Sequence, residues 1–89
     1  MSKFKLILSK KINKQLKKMD RHIREVIESW INNNLKDCEN PRLKGRTLCG
    51  SKAGQWRYRI GDYRLFCEIK DDKLIILAIS IAHRSNAYN

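Results

Sequence analysis

Arg57 and Arg59 stand two residues apart in a stretch, Gln55 to Ile60, that alternates strictly with Trp56, Tyr58 and Ile60. Such alternation reads as a half-buried strand, so the two guanidiniums project from one face. Gly61-Asp62 makes a tight turn, and Arg64 opens the returning strand on the same side, beside Arg59 or close to it. Guanidiniums gathered this way repel one another. They either surround an anion or form the ordinary polar outer face of a half-exposed sheet. A second group, His83, Arg84 and Tyr88, follows where the apolar run Leu74 to Ala82 ends. It adds an imidazole, another fixed cation and a phenol.

Those types suggest a definite chemistry. Cleaving an RNA phosphodiester without a metal takes help for the 2′-hydroxyl proton, cations for the charge on the pentacoordinate phosphorus, and a donor for the leaving 5′-oxygen. Arg57, Arg59, Arg64 and Arg84 suit the second task. Arginine is a poor proton shuttle, which leaves His83 or Tyr88 as the acid or base.

The charge around this group is uneven. The chain has 89 residues, with 20 Lys and Arg against 9 Asp and Glu, a net charge of +11. Residues 1–24 are basic except for Asp20, and residues 42–64 are basic except for Asp62, whereas 25–41 is acidic and 65–89 is balanced. An excess this large predicts an anionic partner, nucleic acid first and an acidic protein second. The basic helix carrying Lys10, Lys11, Lys14, Lys17 and Lys18, with Arg42, Lys44, Arg46 and Lys52 further on, is the predicted phosphate-docking surface. Cys38, Cys49 and Cys67 show no CxxC spacing and His22 is far from His83, so no metal, cofactor or disulfide framework is expected. No apolar run reaches the roughly 18 residues of a membrane span, and a cytoplasmic protein is expected.

The elements that must position these groups fit one small α+β domain over residues 1–89. Phe4 to Leu8 reads as a short strand and Ser9 as a helix cap, with Ile12, Leu16 and Met19 at helical spacing. Asp20 caps a second amphipathic helix through Ile23, Val26, Ile27, Trp30 and Ile31, ended by Asn32-Asn33-Asn34, and the two are expected to pack as an antiparallel hairpin. A loop with Leu43 and Leu48 as anchors leads into a three-strand antiparallel meander. Its last strand, Leu74 to Ala82, is expected to be central and buried on both faces. The helices lie on one face of the twisted sheet.

Asn40-Pro41-Arg42-Leu43-Lys44-Gly45, Trp56-Arg57-Tyr58-Arg59-Ile60-Gly61-Asp62-Tyr63-Arg64-Leu65 and His83-Arg84-Ser85 with Tyr88 together resemble the RelE/ParE toxin superfamily. The resemblance extends over essentially the whole chain. Its RelE branch implies ribosome-dependent cleavage of mRNA in the A site by metal-free 2′-hydroxyl attack. Position by position it implies that Arg57 and Arg59 are the basic strand pair of the cleft, Arg64 and Arg84 its further arginines, and Tyr88 its C-terminal tyrosine. Two departures stand out: the strand pair is arginine rather than lysine, and Tyr88 follows Arg84 more closely than in the best-known pattern. The resemblance also implies an acidic antitoxin as partner, in a toxin–antitoxin hetero-oligomer, beside ribosome and mRNA. Two alternatives stay open: the ParE branch, whose toxins inhibit DNA gyrase without being enzymes, and a plain basic nucleic-acid-binding module.

Overall fold

A computed structural model describes residues 3–47 and 55–85. Strand β1 (Lys5–Leu8) leads into helices α1 (Lys10–Lys18) and α2 (Arg21–Asn34), then a two-residue strand β2 (Arg46–Thr47). Strands β3 (Gln55–Ile60), β4 (Tyr63–Lys70) and β5 (Ile75–His83) complete a five-stranded sheet in the order β1-β5-β4-β3-β2. The meander is antiparallel, as the turns require, and β1 joins it parallel to β5. That parallel pairing needs a crossover, which the two helices supply.

Both helix starts follow from their caps. The Ser9 hydroxyl accepts from Ile12 N–H at 3.1 Å and the Asp20 carboxylate from His22 N–H at 3.1 Å, each satisfying a donor that the first turn leaves open. Ile12 and Leu16 of α1 and Ile27 and Ile31 of α2 are buried against Tyr58, Ile60, Leu65, Cys67, Ile69, Ile76, Ala78 and Ile81 in one core. Both helices thus cover the same sheet face. Among the described residues no helix covers the other face.

One-sided cover corrects the reading of the last strand. β5 is an interior strand, but only Ile76, Ala78 and Ile81 are buried, while Ile75, Leu77, Ile79, Ser80 and Ala82 on the open side are half-buried. A bulge opposite Phe66 and Cys67 inserts Ile79 and keeps Ile81 facing the core beyond it. Past Leu8, where β1 stops, Gln15 takes its place along β5. Its side-chain amide donates to Ile81 O at 2.8 Å and accepts from Ile81 N–H at 2.9 Å, pairing a strand edge that would otherwise be bare.

The loop before β3 also differs from expectation. Leu43 anchors nothing, being 80% exposed; Leu48 lies outside the described residues. Polar groups hold the segment instead. Tyr58 OH donates to Pro41 O at 2.5 Å and Trp56 Nε1 donates to Lys44 O at 2.7 Å. The Arg42 fork meets both Asp71 oxygens, at 2.8 and 2.9 Å, while lying over the Trp56 ring.

Burial has a consequence for alkaline stability. It pushes the Cys67 thiol up to about 12 and raises the buried Tyr58 phenol as well. Both groups fold in their neutral form, so the folded chain retains protons that the unfolded chain loses from about pH 9 upward. Stability is complete below that pH and falls as pH rises towards 12. Urea midpoints at pH 8 and pH 10.5 should show a clear drop, with native Cys67 resisting alkylation at the lower pH.

Candidate nucleic-acid interface

The ladder register turns the open face into a grid. Arg59 lies opposite Arg64, and Arg64 opposite Ala82. In the next row Arg46, Arg57, Phe66 and Ser80 stand side by side, and in the third Gln55, Glu68 and Leu77. The structure therefore brings Arg57, Arg59 and Arg64 to one face, and adds Arg46 from β2. Arg46 and Arg59 are exposed.

Arg64 differs from its neighbours. It is only 9% exposed, and its Nη1 donates to Gly61 O at 3.1 Å and Tyr63 O at 3.0 Å. The first carbonyl belongs to the β3–β4 turn, where Gly61 takes φ +57°, and the second to the first residue of β4. A guanidinium has five donors, so the two bonds orient the group without exhausting it. Arg84 sits at the same end of the sheet, just past β5. Its backbone N–H donates to Asp62 O at 2.7 Å, and its Nε is 3.8 Å from an Asp62 carboxylate oxygen.

His83 is not brought to the arginines. It pairs with Tyr63 across the ladder and meets that ring edge-on at 5.3 Å, facing the helices. With His22, Ile27 and Tyr63 it lines a cleft of about 370 Å³ on the covered side. Strand parity explains the difference, because consecutive residues point to opposite faces and only Arg84 shares the side of Ala82. Arg42, expected to dock phosphate, spends its charge on Asp71, and Lys44 hydrogen-bonds the Asn34 side chain. Tyr88 and Lys52 lie outside the described residues.

The family model of the ParE toxin of the parDE type II toxin–antitoxin system matches residues 6–88. The chain belongs to this toxin family. It is thus a type II toxin of the RelE/ParE superfamily, as its motifs indicated. No curated protein matches the sequence. Among solved structures it is similar to the RelBE2 toxin–antitoxin complex of Mycobacterium tuberculosis, at 22% identity over 97% of each chain with a TM-score of 0.80. It is also similar to the isolated RelE toxin of E. coli, at 21% identity over 96% of this chain and 88% of that one, with a TM-score of 0.74. The RelB–RelE complex of Methanococcus jannaschii matches at 27% identity over 92% of this chain and 94% of that one, with a TM-score of 0.61.

In this toxin the α1 lysines form a second, separate cationic surface. Lys10, Lys11, Lys14, Lys17 and Lys18 are all exposed, and Lys11, Lys14 and Lys18 border a groove of about 380 Å³ with Gln15. The Gln15 bonds to Ile81 fix this groove beside the C-terminal end of β5. Among the described residues no three histidine, cysteine or acidic side chains group to hold a metal, and no helix is long and apolar enough to cross a membrane. Sequence reasoning named every arginine of the grid but passed over Phe66. The available signal was an aromatic residue at an outward position of β4, between Leu65 and Cys67.

Proposed function

We propose that this toxin is a ribosome-dependent mRNA endonuclease whose open sheet face holds the scissile phosphate. The observation that carries the reading is the cross-strand pair Arg59–Arg64 with Arg57 one row away. Such a cluster stabilises the extra negative charge of a pentacoordinate phosphorus, and preorganised donors stabilise it best. Arg64, fixed by two carbonyls, has that preorganisation. The RNA's own 2′-oxygen attacks phosphorus as its proton passes to solvent water, the bond to the 5′-oxygen breaks as that oxygen takes up a proton, and the products carry a 2′,3′-cyclic phosphate and a 5′-hydroxyl. Tyr88, four residues beyond Arg84, is the proposed proton donor now that His83 faces the helices.

The α1 lysines serve as the docking surface for ribosomal RNA phosphates. Replacing Lys11, Lys14 and Lys18 with alanine should weaken ribosome binding without moving the cleavage position. The salt dependence should flatten by about one logarithmic unit for each phosphate no longer neutralised. The partner that silences the toxin is an acidic antitoxin. The net charge of +11 supports this, as does the likeness to RelB–RelE complexes.

Primer extension on an mRNA translated with and without the purified protein tests the proposal. New stops within the reading frame are expected, with naked mRNA left whole. Intact mRNA at concentrations that stop growth would sink it. A gyrase-inhibiting toxin is the second reading, favoured by the ParE family match itself. It predicts blocked supercoiling with translation unaffected, and indifference to substitutions at Arg57 and Arg59.

A further inference from the structure

Phe66 borders the arginine cluster of the grid. Arg57 lies directly across from it on β3 and Arg64 two residues away along β4, with Arg46 and Arg59 next beyond. Opposed residues in such a ladder are about 5 Å apart by Cα, and same-face residues along a strand about 7 Å. On the ring's other side the row of Gln55 and Glu68 brings an amide and a carboxylate instead of cations. The buried residues of β4 on the opposite face, Leu65, Cys67 and Ile69, include no aromatic ring. Phe66 is half-buried on the face that neither α1 nor α2 covers.

We infer that Phe66 is a stacking platform for one base of a single-stranded RNA whose phosphates the surrounding arginines hold. The inference deepens the proposed function and rests on its reading of this face as an RNA site. A flat aromatic ring bordered by cations offers a base its π-face and a backbone its counter-charge at the same time. Duplex RNA cannot use the ring, because its bases are already stacked. An acidic peptide would satisfy the arginines and leave the ring without a role. The polar row at Gln55 and Glu68 gives the phosphate and the base different ends of the site, phosphate towards Arg64 and base over Phe66.

A hexanucleotide RNA containing one 2-aminopurine tests this, followed by anisotropy for affinity and by fluorescence for stacking. Binding to the wild-type toxin should quench the 2-aminopurine, a result independent of any variant. Phe66→Leu should bind about ten-fold more weakly and lose the quenching, while its salt dependence stays unchanged because every phosphate keeps its cation. Phe66→Tyr should retain both affinity and quenching. Arg46→Ala should instead lower the salt slope while leaving the quenching of bound RNA intact. Unquenched RNA on the wild type, or Phe66→Leu within two-fold of it with full quenching, overturns the inference. So does an oligoglutamate peptide that binds in a Phe66-dependent way while the RNA does not. Phe66-dependent quenching with mRNA left whole in a translation extract keeps the platform and removes the endonuclease. Unchanged binding and cleavage by Phe66→Leu does the reverse.

Discussion

Arg64→Ala should lower mRNA cleavage on the ribosome by at least about 100-fold, the loss typical when one preorganised donor to a developing charge is removed. The expected size follows from how the side chain is held. An exposed arginine must first be ordered by the phosphate it binds, and that ordering costs rotamer entropy. Arg64 is already ordered by the carbonyls of Gly61 and Tyr63, so its whole interaction is available in the transition state. The same bonds give the substitution a structural cost. Two carbonyls lose their donor, worth about 1–3 kcal/mol if they stay dry. Cleavage and thermal stability must therefore be read together. Arg64→Lys separates them: it keeps the charge but not the planar fork, and should recover less than a tenth of the lost rate. Primer extension with matched protein concentrations measures the first effect, and thermal melting the second. Full cleavage by Arg64→Ala would remove the phosphate clamp from the mechanism.

Much of this site was legible because β-strands have a fixed period. Arg57 and Arg59 share a face whatever the tertiary structure does, and the two-residue turn Gly61-Asp62 sets Arg64 against Arg59. The same rule separates His83 from Arg84, which are consecutive, but which of the two shares the arginine face depends on the bulge at Ile79, and that was not visible in the sequence. A bulge leaves little mark in a run as nearly apolar as Ile75 to Ala82, where Ser80 alone interrupts the pattern. That run also looked buried on both faces. Composition cannot distinguish a strand between two layers from one that helices cover on one side only. The strap from Asn40 to Gly45 was illegible for a different reason. It is held by the ring hydroxyl of Tyr58, the indole of Trp56 and the carboxylate of Asp71, which reach it from 12 to 29 residues away. Only the pairing of β2 with β3 shows that this strap carries Arg46 to the grid.

Gly45→Ala should be far more damaging than Gly61→Ala, the same change at the other glycine among the described residues. Gly45 has φ +81°, a conformation that costs a side-chain-bearing residue about 1–3 kcal/mol. A Cβ there would also stand 2.4 Å from Arg57 O, 2.6 Å from Trp56 Nε1 and 2.8 Å from Tyr58 Cδ1. The first of these is backbone in a central ladder, and Tyr58 is wholly buried, so neither can move aside cheaply. The strap must lift instead, breaking the Trp56–Lys44 and Tyr58–Pro41 hydrogen bonds together. A loss of about 3 kcal/mol or more is expected, which for a domain of this size lowers Tm by roughly 12–24 °C. The effect reaches the arginine face proposed to bind RNA as well, because lifting Gly45 withdraws Arg46 from its place beside Arg57. Gly61→Ala is the contrasting control. It shares the positive φ, but its Cβ would meet nothing within 4 Å. Thermal melting of the two variants should show a drop at Gly45 at least twice that at Gly61, and equal drops would mean that backbone strain alone, not the close approach of strap and strand, sets the cost.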